Sequence, residues 1–260
     1  LIDHGRSYIE KTYKRPFADR LIRNFLSQII PYPLRFRILG MLTSIIKPFS
    51  FIFPKKIKSM ISLMPISFPR KNLPKKEVYF AEGKKKPVAR VALLTGCVQQ
   101  VISPQINEAT IRLLNRHGVE VVVSKGIGCC GSIDHHLGKS DLANKIFKKN
   151  ILGWYDEYLN NGLDAIISNT SGCGTTLKDY KFIFRWDDEI KKKAKKISEL
   201  TKDISEYLED NVKLNYIKKN KNVREYKIAY HSACSMQHGQ KIHDVPINLI
   251  KKTGNDVFEI

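Results

Sequence analysis

The sequence predicts an α/β fold built on parallel strands and entered through a basic helical segment. Three observations carry this. Short apolar runs ending in glycine or cysteine alternate with amphipathic stretches of helical spacing. The five cysteines, Cys97, Cys129, Cys130, Cys173 and Cys234, all follow such runs. The segment Arg90–Gln100 recurs as Lys227–Gln237, which sets Cys97 on Cys234.

Residues 1–64 read as basic and helical. Leu21, Ile22, Phe25, Leu26 and Ile29 fall at helix spacing. Pro31 and Pro33 interrupt that stretch, and Arg35–Ile46 is a second helix, stopped by Pro48. Its apolar run is far too short to span a bilayer. Residues 65–88, with Pro65, Pro69, Pro74 and Pro87 among lysines, have the composition of a linker.

Residues 89–182 form the first cysteine-rich domain. Arg90–Leu94 is a buried strand ending in Thr95-Gly96-Cys97. Ser103 caps and Pro104 opens a helix that reaches His117, with Gly118 just past its end. Val119–Val123 is the second strand and leads to Gly126-Ile127-Gly128-Cys129-Cys130-Gly131. A helix from Ser140 to Asn160 and a third strand, Ala165–Ser168, follow, and the strand ends in Ser171-Gly172-Cys173-Gly174. Residues 183–226 are helical and highly charged, and read as a solvated connector. Residues 227–260 begin a second cysteine-rich domain. Leu249–Val257 aligns with Leu113–Val121 and supplies its helix and second strand. The architecture is therefore two Rossmann-like cysteine-rich repeats. The counterpart of Cys129-Cys130 would fall just beyond Ile260, so the second repeat is expected to be truncated. The first residue, Leu1, is not Met, and a cut at that end is expected too.

The net charge of +20 raises nucleic acid, an anionic membrane and an acidic protein as partners. Abundant Lys, Ile and Asn give the charge a plainer source in solvated lysine runs. A single-strand nucleic-acid groove interleaves cations with stacking aromatics. The run Lys191–Lys196 contains none, so no nucleic-acid partner is expected. No G-x-G-x-x-G or P-loop pattern is present, and no general base or nucleophile stands out, so no catalytic residue is assigned.

An odd cysteine count with one vicinal pair fits a disulfide framework poorly. No secretory signal opens the chain, and a cytoplasmic location is expected. Cysteines in that setting are metal-binding or catalytic. In a parallel α/β sheet, ligands bind beyond the carboxyl ends of the strands. Soft thiolates gathered there select zinc, copper(I) or iron–sulfur clusters. Cubane [4Fe–4S] clusters take four cysteines, whereas zinc draws close C-x₂₋₄-C pairs. Here the ligands are one single, one adjacent pair and one single. Adjacent residues holding their side chains apart suit a cluster better than one tetrahedral ion. Flanking glycines, among them Gly96, Gly131 and Gly174, allow close backbone approach to cluster sulfurs. The alternative of another class is a zinc-stabilised structural or adaptor domain.

The set Cys97, Cys129-Cys130-Gly131 and Ser171-Gly172-Cys173-Gly174 resembles the cysteine-rich CCG domain of the heterodisulfide reductases and their relatives. Leu93–Gln99, Gly128–Leu137, Asn169–Gly174, Ser235–His238 and Lys14–Arg20 are similar to segments of the glycolate oxidase iron–sulfur subunit family. The resemblance covers essentially the whole chain. It implies an electron-transfer subunit that passes electrons from a flavoprotein partner oxidising glycolate to an acceptor such as quinone. The flavin would sit on that partner. It implies [4Fe–4S] ligation by Cys97, Cys129, Cys130 and Cys173, with Cys234 in a second, incomplete site. It also implies an N-terminal ferredoxin module, which the present chain lacks, since no cysteine precedes Cys97. Heterodisulfide reductase relatives carry a further cysteine where this chain has Thr170. Four ligands instead of five favour an ordinary cubane and put disulfide-reducing chemistry in doubt. A sister subunit for lactate or another 2-hydroxy acid is the alternative, because substrate choice would lie in the flavin subunit.

His135 and His136 follow the Cys-Cys-Gly and His238 follows Cys234. A structural hydrogen-bonding role is preferred over proton transfer for each. His4 and His117 read as surface residues. Residues 20–58 mix apolar with basic residues. Packing against the ferredoxin module or flavin subunit is the preferred reading, and peripheral contact with the inner face of the plasma membrane is the other.

Overall fold

The computed structural model describes residues 2–65, 67–69, 77–83, 86–212, 214 and 226–260. The chain forms two compact units. One comprises Leu1–Lys76, Thr95–Ala109 and Gly126–Asn150; the other comprises Glu77–Leu94, Thr110–Lys125 and Ile151–Ile260. The units interleave in sequence, whereas the sequence reading set 1–64, 89–182 and 227–260 apart as successive blocks.

The first unit opens with α1 (Ile2–Thr12), α2 (Phe17–Ile29), α3 (Pro33–Ile46) and, after a 3₁₀ turn at Lys47–Ile52, α4 (Lys55–Leu63). Pro48 does not end α3 in open chain; it tightens the backbone into the 3₁₀ turn, where a missing N–H costs least. Also in this unit are α5 (Gln99–Ile102), the start of α6 (Pro104–Arg116), α7 (Ser132–His136) and the first half of α8 (Ser140–Asn161).

The second unit holds a five-stranded sheet in the order β1-β3-β2-β4-β5. Its strands are β1 (Val78–Tyr79), β2 (Ala89–Leu94), β3 (Val119–Val122), β4 (Ala165–Ser168) and β5 (Thr201–Asp203). All neighbours run parallel except β1, an antiparallel edge on β3. Val91–Leu94 and all of β4 are buried, as expected of parallel strands covered on both faces. One face packs Val91, Leu93, Val121 and Ile167 against Ile111 and Leu114 of α6 and Tyr207 of α11 (Ile204–Asn211). At the opposite end of the strands, Arg90 bridges Glu120 at 2.6 Å and Glu157 at 2.5 Å.

Two expectations change. The linker at 65–88 contributes β1, which pairs with β3; its residues 66, 70–76 and 84–85 lie outside the described residues. The segment expected to be a solvated connector is part of the core. After α9 (Ser171–Ile183), α10 (Lys191–Leu200) buries Ala194 and Ile197, and β5 pairs with β4. Asp203 then caps α11 with a capping box: Ser205 N–H donates to its carboxylate at 2.9 Å, and its own N–H donates to Glu206 at 2.8 Å. The lysines of α10 mark only its wet face, and a three-residue strand between two helices leaves no alternation to read. Residues 213 and 215–225 of that segment lie outside the described residues.

The repeat is visible in the backbone. β6 (Lys227–Tyr230) and β7 (Asp256–Glu259) pair in parallel, as β2 and β3 do, with α12 (Val245–Lys252) between them. Gly118 and Gly254, which close the equivalent helices, take the same left-handed conformation, φ 83° and 85°.

Candidate metal centre

The Cys97 loop is built by short polar ties. The Gln100 side chain folds back, its Nε2 donating to Thr95 Oγ1 at 2.8 Å and to the Gly96 carbonyl at 2.5 Å. Buried Asn107 donates to the Thr95 carbonyl at 2.8 Å and accepts from Gln99 at 2.7 Å. The loop that leaves the end of β2 is thereby fixed, and Cys97 is buried.

The second cysteine loop is held from α8. Asn150 Nδ2 donates to the Cys129 carbonyl at 2.8 Å. Gly131, the N-cap of α7, has φ 83°, and a Cβ there would lie 2.5 Å from the Phe147 ring. Only glycine satisfies both constraints. The Gly131 N–H points back at Cys129 Sγ at 3.4 Å.

The sulfurs of Cys97 and Cys130 each approach that of Cys129. Cys129 accepts hydrogen bonds from Cys130 and Cys97, which hold its thiol down to about 3 against the opposing effect of burial. Cys129 is thus the thiol held lowest, flanked by two buried thiols. The adjacent pair turns its sulfurs together, not apart as the sequence suggested. Among the described residues, no group of three or more His, Cys, Asp and Glu side chains meets the geometry for a single metal ion. The sulfurs approach pairwise, through Cys129. An all-thiol donor set served by a backbone N–H suits a soft thiophilic group such as an iron–sulfur cluster.

The helix after this loop is gripped by the N-terminal helices, which sequence reading missed. Asp134 is buried and accepts from Ser27 of α2. Burial pushes the Asp134 carboxyl up, with Ser27 and Lys139 opposing. His136 Nδ1 sits 2.9 Å from Asp3 Oδ1 on α1, and His135 Nε2 lies 3.6 Å from Asp3 Oδ2. Burial holds His135 below its ordinary value, only partly offset by Asp3. Arg23 donates to the Leu137 carbonyl at 2.6 Å. Gly138, at φ 75°, faces the Arg6 carbonyl, 2.5 Å from where a Cβ would stand. His136 thus lies within hydrogen-bond distance of Asp3, whereas His135 faces the same carboxylate at longer range. His4 is exposed, while His117 is half-buried, its Nδ1 2.8 Å from the Leu113 carbonyl.

Cys173 and Cys234 belong to the second unit. Cys173 lies in the first turn of α9, beyond β4, and is half-buried. β4 is the neighbour of β2, with Ser168 paired to Leu94. Thr170 is the N-cap of α9. Cys234 is exposed at the start of a π-helical turn, Ser235–Gln240. That turn docks on α9: Ser235 Oγ meets Ser171 Oγ at 2.8 Å, Thr175 donates to the Ser235 carbonyl at 3.0 Å, and Gln240 donates to the Ser171 carbonyl at 2.9 Å. The opening of the second repeat is therefore tied to the Cys173 turn of the first.

The profile of the family described as Cysteine-rich domain (CCG) matches residues 91–178. Over those residues the chain is similar to this cysteine-rich CCG-domain family. Over its whole length it is 32% identical to the glycolate oxidase iron–sulfur subunit of Escherichia coli, in an alignment of 262 residues covering 100% of this chain and 59% of that protein. It is 26% identical over 220 residues to the probable glycolate oxidase iron–sulfur subunit of Bacillus subtilis, covering 80% of this chain and 48% of the relative. It is 25% identical over 162 residues to lactate utilization protein A of Geobacillus kaustophilus, covering 62% and 64% respectively. The chain thus spans between about half and two thirds of the length of these relatives. No solved structure matches it.

Proposed function

We propose that this chain is the iron–sulfur electron-transfer subunit of a flavin-dependent glycolate dehydrogenase. The observation that carries the reading is that Cys97 and Cys130 both hydrogen-bond Cys129, in the loops that follow two parallel strands. Cys97, Cys129 and Cys130 would hold a [4Fe–4S] cluster, with Cys173 as the fourth ligand that the family resemblance implies. Cys234 belongs to a second site. The cluster, when bound, accepts and releases one electron at a time.

This chain's own residues supply the rest. Gln100, Asn107 and Asn150 fix the two loops. Burial of Cys97 and Cys130 keeps water from their sulfurs. The Gly131 N–H offers a hydrogen bond to sulfur that would raise the potential of the bound group. The oxidation of glycolate to glyoxylate would occur on the flavin of a partner subunit, and electrons would leave to an acceptor such as quinone. Similarity to the glycolate oxidase subunits supports glycolate. Similarity to lactate utilization protein A supports a second reading, with lactate as the partner's substrate.

The test is anaerobic mixing of the reconstituted chain with its flavoprotein partner and either glycolate or lactate. Bleaching of the visible absorption by glycolate alone is the expected result. Bleaching by lactate alone transfers the assignment to the second reading. Absence of bleaching with either acid, while dithionite still bleaches the sample, contradicts the electron-relay role between 2-hydroxy acid and acceptor.

A further inference from the structure

The connection between α9 and α10 holds a tryptophan in the open. Trp186 is 83% exposed, and Phe182, one turn before it, is 52% exposed. The backbone that presents them is fixed. Phe184 and Ile190, on either side of Trp186 in sequence, are buried. The Asp187 N–H donates to the Phe184 carbonyl at 3.1 Å, and the Lys191 N–H to the Asp187 carbonyl at 2.8 Å. Tryptophan is highly buried on average, so one held outward on an ordered turn beside a second aromatic marks a contact surface.

Arg185 completes the patch. Its guanidinium lies over the Phe182 ring at 3.8 Å and 5.6 Å from the Trp186 ring centre, and Nη1 donates to the Phe182 carbonyl at 2.6 Å. Stacking holds the planar fork ready to take a carboxylate. Among the described residues no carboxylate pairs with it. The two that follow in sequence are engaged: Asp187 accepts from the Glu189 N–H at 3.2 Å, and Asp188 accepts from Lys191 Nζ. The patch therefore fits an apolar group on Trp186 and an acid on Arg185, a combination typical of the energetic centre of a protein interface. The acidic run Asp187-Asp188-Glu189 repels the phosphates of nucleic acids and lipid heads, which leaves a protein as the occupant. The proposed function supplies one, the flavin subunit, whereas its quinone-type acceptor is a small molecule.

We propose that Phe182, Arg185 and Trp186 form the point at which the flavoprotein subunit docks, with an apolar side chain seated on Trp186 beside a carboxylate bound by Arg185. This rests on the electron-relay function.

The whole chain is titrated onto the immobilised flavoprotein subunit, and saturable binding is expected. Trp186→Ala and Arg185→Ala should each weaken it at least about tenfold. Arg185→Lys keeps the charge but loses the planar fork, and should also lose most of the affinity. Phe184 and Ile190 stay in place in all three, so unchanged circular dichroism spectra are expected. Leu159→Ala, at a side chain 62% exposed on α8, should bind as the parent does. A parent chain that does not bind the flavoprotein overturns the proposal. So do Trp186→Ala and Arg185→Ala chains that bind as well as the parent; if glycolate or lactate still bleaches that mixture, the electron relay stands and only the docking surface falls. Binding that depends on both residues, without bleaching by either acid, keeps the docking surface and removes the relay. A concentration-dependent dimer broken by Trp186→Ala, with no flavoprotein binding, would assign the patch to a second copy and overturn the proposal.

Discussion

Ser27 on α2 gives its hydroxyl proton to the buried carboxylate of Asp134 on α7, the helix that starts one residue after Gly131. The tie spans most of the first unit in sequence and ends beside the cysteine loop. Ser27→Ala leaves a buried carboxylate short of a donor, and a cost of about 1–3 kcal/mol is expected. Urea unfolding at neutral pH measures it. Asp134→Asn keeps an acceptor for Ser27 and removes a buried charge, so it should cost less than Ser27→Ala. The reverse order would mean that the Asp134 charge is satisfied by something other than Ser27.

The acid side of the stability profile should be shaped by His135. Burial holds it below 6.5, so the unfolded chain binds more protons than the folded one just under that pH. Its contribution is complete above 6.5 and is lost as pH falls through its folded value. Asp3, brought below 3.8 by the His136 bond and the neighbouring cations despite burial, adds a second loss at lower pH. Asp134, raised by burial, runs the other way and favours the folded state as pH falls. His135→Gln should flatten the stability profile between pH 6.5 and about pH 5. An unchanged slope there would contradict the burial of His135.

Gly138→Ala forces a Cβ against the Arg6 carbonyl, a backbone atom that cannot rotate away, at a φ that costs an L residue about 1–2 kcal/mol by itself. Helix α1 should lose its seat on α7. Hydrogen exchange over Ile2–Thr12 should rise, with protection on β2 and β4 unchanged. If the exchange of α1 stays as it was, the α1–α7 contact is not what protects it.

Cys129 should behave as a thiolate in metal-free protein. With its thiol near 3, alkylation by iodoacetamide at pH 5 should mark Cys129 ahead of the exposed Cys234. Cys130→Ala and Cys97→Ala should each restore pH dependence to that labelling, because each removes one of the donors that stabilise the anion. Peptide mapping by mass spectrometry reads the order directly.

The strands that carry the cysteine loops were legible because their residues are local and apolar. Arg90–Leu94, Val119–Val123 and Ala165–Ser168 become β2, β3 and β4 with boundaries within a residue. The helix signals at Ser103-Pro104 and Gly162 held for the same reason: caps and terminators act within one turn. What stayed hidden is long-range or too short. β5 is three residues between charged helices, and its burial comes from pairing with β4. The grip of Asp3, Arg23 and Ser27 on α7 joins positions more than a hundred residues apart, and no periodicity encodes it. Lys193 and Lys196 show the same limit. Their run has no aromatic residue in sequence, yet Tyr155 and Tyr158 of α8 lie beneath them at 5.5 and 4.5 Å.

The measurement that tests the central claim most directly is iron and acid-labile sulfide content, with an EPR spectrum, on the chain reconstituted without oxygen. About four irons and four sulfides per chain are predicted, with a signal that appears on reduction. Cys130→Ser should lose it, and Cys234→Ser should keep it. Zinc without sulfide, or a folded chain that takes up no metal, would contradict the iron–sulfur assignment and leave a structural or adaptor role for the thiols.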